Sequence, residues 1–225
     1  GYKLKEFLII KKFKIPKNVI ITSDDFELKA DLVKAFFDKD LYDITKIKSQ
    51  GNVILKSSKG LIAKGDKIDF STRDENIFIF GQTSYLKYNE INMFSNKQIS
   101  VNNLTGEFNL DGPKSKLITD TIEISGEFID GRYINVDNAN IIEKLFVQDK
   151  NQANIKTDKI NMFSLKANYN KKDNIIELFD EVEVIRDNET IKGDYAKINT
   201  LTESYKVTSK NINEKVKVLI NKKDE

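Results

Sequence analysis

Short runs rich in Ile, Val, Phe, Tyr and Thr follow one another at intervals of about ten residues along most of the chain. "NVILKS", "KIDFS", "NIFIFG", "GEFNLDG", "TIEISGEF", "GRYINV", "NIIELF" and "EVEVIRD" are typical, and Gly, Asn, Asp and Lys separate them. Such residues fit the pleated, half-buried surface of a sheet, so the pattern predicts roughly fifteen strands. Turn formers stand between runs, as in Ser58-Lys59-Gly60, Asp111-Gly112-Pro113 and Asp130-Gly131. Helical spacing is scarce. "FELKADLVKAFFD", at 26–38, places Leu28, Leu32, Ala35 and Phe36 on one helical face, yet it reads equally as two strands. The architectures left are a sandwich, a barrel or a solenoid.

The chain also repeats itself. "INMFS" occurs at Ile91–Ser95 and again at Ile160–Ser164, and these words hold the two methionines of the protein. "GDKIDFSTRDE" from Gly65 aligns with "GDYAKINTLTE" from Gly193, matching Phe70 with Ile198, Thr72 with Thr200 and Glu75 with Glu203. A unit of a few strands, stacked on its neighbours, explains both echoes. Around Gly65, Leu61 and Ala63 precede at odd positions while Ile68 and Phe70 follow at even ones. Ile191, then Ala196 and Ile198, do the same around Gly193. A strict period of two would send these groups to opposite faces, so a bulge or bend is expected at each glycine.

Composition removes whole classes of chemistry. With no His and no Cys there is no imidazole base, thiol nucleophile, Cys/His zinc site or disulfide. The 37 basic and 35 acidic residues are interspersed, which gives no field for a nucleic acid. No apolar run is long enough to span a bilayer as a helix. The first residue is Gly, which suggests a processed chain whose targeting segment is missing.

Ala30-Asp31, the Gly51-Asn52-Val53 hairpin, the strand from Ile62 to Phe70 and the closing "VKVLI" together resemble the LptA/LptC (OstA-like) family, with LptA the nearer type. The resemblance runs from about Phe26 to Ile220, and residues 103–149 fit the body of LptC equally well. It implies an all-β, elongated open β-jelly roll, a β-taco of stacked antiparallel strand repeats, over 26–220. Residues 1–25 would be an N-terminal extension and 221–225 a polar tail. It also implies a periplasmic carrier that shields the acyl chains of lipopolysaccharide (lipid A) and passes them between inner- and outer-membrane components. The partners implied are other Lpt jelly-roll proteins, joined by edge-strand pairing, with head-to-tail self-association as one form. An LptC-type subunit, associated with the inner membrane and stripped of its anchor, is the nearest alternative. A ligand-free β-solenoid structural or adhesin module is the other. Neither catalysis nor a cofactor is implied.

The groove is assigned to Val53, Leu55, Ile68, Phe70, Ile77, Ile79, Ile91, Met93, Ile99, Phe108, Ile122, Ile160, Met162, Leu178, Val182, Val184, Ile198 and Val207. Met and Phe adapt to irregular lipid packing, although Met93 and Met162 serve equally as plain core. "IFIF" at Ile77–Phe80 and "IIELF" at Ile175–Phe179 are apolar on both faces, which suggests burial between layers or, less simply, a patch for a partner. Asp66, Asp69, Asp120 and Glu123 could form a glycosidase-type carboxylate pair, but no motif frames them. "VDNANIIE" lacks the glycine and spacing of a calcium loop. The Lys-rich end, 215–223, reads as solvated or as a contact for lipid phosphates. Tyr85, Lys87 and Tyr88 fit an alternating strand better than a nucleic-acid patch.

Overall fold

The computed structural model describes residues 19–38, 44–137, 139–187, 189–209 and 216–220, and every regular element there is a β-strand. Residues 1–18 of the expected extension, the tail 221–225 and, of the Lys-rich end, Lys215, Lys222 and Lys223 lie outside the described residues. The sheet begins inside the segment read as an extension, because β1 (Val19–Thr22) pairs with β2 (Phe26–Ala30).

The chain forms an antiparallel meander that is creased lengthwise, so that its two halves face each other as two layers. The segment that reads as helix or strands forms β2 and β3 (Leu32–Phe37), which step from the first layer to the second. β4 (Ile44–Ser57) and β5 (Leu61–Ser71) each cross both layers. β6 (Asn76–Phe80) and β9 (Gln98–Asn102) lie in the second layer, and β7 (Ser84–Tyr88) and β8 (Ile91–Ser95) in the first. β10 (Glu107–Ile118), β11 (Glu123–Val136), β12 (Ala139–Lys156), β13 (Ile160–Asn170), β14 (Ile175–Arg186) and β15 (Glu189–Asn199) again cross both. β16 (Tyr205–Thr208) closes the second layer and β17 (Lys217–Ile220) the first. The strands outrun the short runs in the sequence because the crease bends them without ending them.

The layers meet through their inward side chains. Phe26 of the first layer meets Phe70 of the second at 5.9 Å between ring centres, and Tyr88 meets Tyr133 at 5.8 Å. The buried apolar residues form one cluster from Phe26 to Ile198.

At the crease the pairing register shifts, as expected at Gly65 and Gly193. The extra residue sits on the preceding strand, at Gly51-Asn52 and at Asp180-Glu181, all four with positive φ. Leu61, Ala63, Ile68, Ala196 and Ile198 are buried and Phe70 partly so, while Ile191 stays half-exposed near the edge. A third glycine, Gly126, takes the same place on β11. A β-carbon there would lie 2.7 Å from Val147 Cγ2. At Gly65 it would lie 2.7 Å from Ile79 Cγ2, and at Gly193 2.6 Å from Val207 Cγ1. The three glycines therefore let the next strand turn the corner at close approach. They recur every fourth strand of the first layer, and the two INMFS words recur at the same period. Both words run Ile and Met inward, Asn and Phe outward, and end on a buried serine at the crease.

Those serines satisfy backbone groups that the bend unpairs. Ser95 Oγ donates to the Asp111 carbonyl at 2.9 Å, Ser164 to Lys166 at 2.8 Å, and Ser49 to Ile68 at 2.8 Å. Ser115, with no exposed surface, donates to Gly112 at 2.7 Å. Ser115→Ala should therefore lower the unfolding free energy by about 1–2 kcal/mol, read as a lower urea midpoint.

Three expectations need correction. Asp111-Gly112-Pro113 lies within β10 at the crease, and Asp130-Gly131 lies within β11, so neither joins two strands. Ile77 and Ile79 are buried, but Phe78 between them is 40% exposed, and no described element covers its side of the sheet. Ile175–Phe179 behaves alike, with Ile176 and Leu178 inside and Phe179 outside against Tyr195.

Candidate functional site: a cleft along the open edge

Opposite the crease no strand among the described residues joins the layers. First-layer turns at 58–60, 119–122 and 157–159 face second-layer turns at 72–75, 171–174 and 200–203. Between the later turns a cleft of about 590 Å³ opens into the interior. Ile122, Ile124, Ile160 and Met162 line it from the first layer, and Ile142, Tyr169, Ile176 and Ile198 from the second. Its rim is polar, with Glu90, Asp120, Asp158, Lys159, Lys171 and Glu203.

All eighteen residues assigned to the groove face inward. Fifteen are buried, while Phe70, Ile122 and Val207 are partly so. Four of them, Ile122, Ile160, Met162 and Ile198, line the open cleft. The other fourteen pack against the opposite layer, so the interior is not a trough open from end to end. Met93 and Ile79, for example, have no exposed surface. Sequence reasoning missed Ile124, Ile142, Tyr169 and Ile176. Tyr133 pairs with Ile142 but Arg132 with Lys144, so Glu143 is extra and shifts which residues of β12 face inward. Asn140, 5% exposed, also lines the cleft; its Oδ1 accepts from Asn135 Nδ2 at 3.1 Å while its own Nδ2 has no partner among the described residues.

Ion pairs clasp the open edge. Lys159 of the first layer meets Glu203 of the second at 2.6 Å, and Arg186 adds a contact at 3.5 Å. The Lys159 hydrogen bond holds the Glu203 carboxyl below the usual range. Lys59 meets Glu75 at 3.7 Å in the same way, and Glu75 is the repeat counterpart of Glu203. Both glutamates have positive φ, which turns them toward the opposite lip. Exposed pairs of this kind hold weakly and weaken further with salt. Raising the salt from 0.05 to 0.5 M should speed uptake of a fluorescent acyl probe, and Glu75→Gln with Glu203→Gln should remove that acceleration.

Tyrosines tie the fold to pH. Burial pushes Tyr169 and, more strongly, Tyr133 up, and a 2.5 Å hydrogen bond to Glu177 takes Tyr195 to about 12. In the unfolded chain these phenols ionise near 10, so their contribution is complete below that pH and is lost as pH rises toward 12. Urea midpoints should fall from pH 9.5 to 11.5, and less steeply in Tyr133→Phe.

The acids proposed as a carboxylate pair do not converge. Asp66 lies at the crease, Asp69 contacts Lys67 at 3.6 Å, Asp120 is on the rim, and Glu123 contacts Lys116 at 2.5 Å. No group of three acids able to hold a metal occurs among the described residues, and Asp137 forms a hairpin tip. Tyr85 and Lys87 point outward while Tyr88 packs on the core, which splits the aromatic-basic patch.

No family profile matches the sequence, and no curated protein matches it. Among solved structures the chain is similar to LptH of Pseudomonas aeruginosa, described as the LptA homologous periplasmic component of the conserved lipopolysaccharide transport device. The TM-score is 0.49 at 13% identity, over 60% of this chain and 96% of that one.

Proposed function

We propose that this protein carries the acyl chains of a glycolipid of the lipopolysaccharide type across the periplasm, without catalysis. The observation that carries the reading is the apolar cleft between two layers that are continuous along one edge and merely clasped along the other. Parting the lips lets an acyl chain replace the contact between layers, and each methylene withdrawn from water contributes about 0.8 kcal/mol. The single apolar cluster extends that path beyond the cleft. At the ends, the described β1 and β3 pair only with β2 and β4, and β16 and β17 only with β15. Ile20, Val218 and Leu219 are more than half exposed there. These edges suit strand addition by jelly-roll partners, whether the chain acts as an LptA-type bridge or an LptC-type subunit.

The packed interior at Met93 favours a second reading, a ligand-free structural module. Photo-crosslinking separates the two. A photoreactive residue at Ile122 or Ile160 should capture lipopolysaccharide, whereas one at the outward Phe163 should not. Absence of adducts at both inward positions would leave the structural module.

A further inference from the structure

The outer face of the second layer carries a groove of about 760 Å³ that the acyl path does not use. One row of outward residues crosses it, Phe78–Ser100–Asn109–Asp130–Phe146–Asn168, each paired with the next across neighbouring strands. The phenyl rings stand four strands apart, about 19 Å, with small polar groups between them. Asn109 and Asp130 stand opposite each other on β10 and β11, on the outward side of the sheet. Asn side chains both donate and accept, which suits hydroxyl groups. Glu107 and Asp130 balance Arg132 and Lys144, so the groove offers no field for a polyanion.

The groove and the cleft approach the same lip from opposite faces of the second layer. Tyr169 lines both, Asn170 lines the outer groove, and Lys171 lines the inner one. A glycolipid whose chains enter the cleft can therefore bend its head over this lip. We propose that the outer groove binds the saccharide chain of the same glycolipid, stacking sugar rings on Phe78 and Phe146 and holding their hydroxyls through Asn109, Asp130 and Asn168. The proposal rests on the reading of the cleft as an acyl site. An uncharged sugar chain fits better than a phosphorylated one, because the groove has no surplus of cations.

The test uses the whole protein and two probes. The first is the acyl-free oligosaccharide released from a bacterial lipopolysaccharide, followed by the side-chain amide NMR signals of Asn109 and Asn168. The second is a single-chain acyl amphiphile without sugar, followed by fluorescence. The oligosaccharide should shift both amides, and Phe78→Ala with Phe146→Ala should weaken it at least tenfold while leaving the amphiphile unchanged. Both rings face outward, so the core stays intact. Unmoved amides, or equal binding by the double variant, would overturn the groove and leave the acyl reading standing. Failure of the amphiphile alone would overturn the acyl reading and, with it, a shared ligand. A sulfated polysaccharide that outcompetes the oligosaccharide would also overturn the assignment.

Discussion

Valine in place of Gly126 is expected to destabilise the protein by about 3 kcal/mol, the upper end of what overpacking costs. The added β-carbon would stand 2.7 Å from Val147 Cγ2 and 3.0 Å from the Gln148 carbonyl oxygen. The second of these is backbone, so relief requires β11 and β12 to separate where both bend. Denaturant unfolding of Gly126→Val should show a much lower midpoint. Gly193→Val makes an equivalent clash against Val207 and Thr208, but close to the end of the sheet. Each strand leans mainly on its neighbours, so the damage there should stay local. Hydrogen exchange should then show loss of protection in β15 and β16 with the middle of the sheet retained. Equal loss throughout both variants would refute a chain of neighbour-coupled strands.

Ile160→Glu is expected to abolish lipid loading. Ile160 is 5% exposed and lines the cleft beside Met162. A carboxylate there must either ionise in apolar surroundings or take up a proton, and both oppose an acyl chain. The same burial should cost the empty protein several kcal/mol, so loss of loading alone is ambiguous. Ile122→Glu resolves this, because Ile122 is only partly buried at the lip. It should keep most of the stability yet reduce captured lipid at least tenfold, measured by native mass spectrometry. A folded Ile122→Glu protein that loads lipid at the normal level would contradict entry through this edge.

The inward face was legible because strand alternation is strict between bends. Ile91 and Met93, or Val182 and Val184, declare their side through their neighbours. Two of the bends were legible as well, since Leu61, Ala63, Ile68 and Phe70 change parity around a glycine. Gly126 escaped notice because Glu127 stands where the other copies have Asp. Asp130-Gly131 looked like a turn because local chemistry does not reveal that Phe108 and Lys144 crowd that glycine from neighbouring strands. The open part of the interior was not legible at all. Whether Ile99 meets the opposite wall or Ile122 borders an opening depends on how far the layers stand apart, and that distance is a property of many strands together. The Glu75 and Glu203 match was visible in the repeat, but its partners Lys59 and Lys159 lie in turns that the alignment does not relate.

A corner residue that returns every fourth strand makes molecular length an adjustable quantity. Duplicating one such module, cut at equivalent corners, would extend the body by about 19 Å and leave its cross-section unchanged. Deleting one would shorten it equally. A ruler of this kind can be set to a chosen span by recombination alone, with no new packing solution required at the splice.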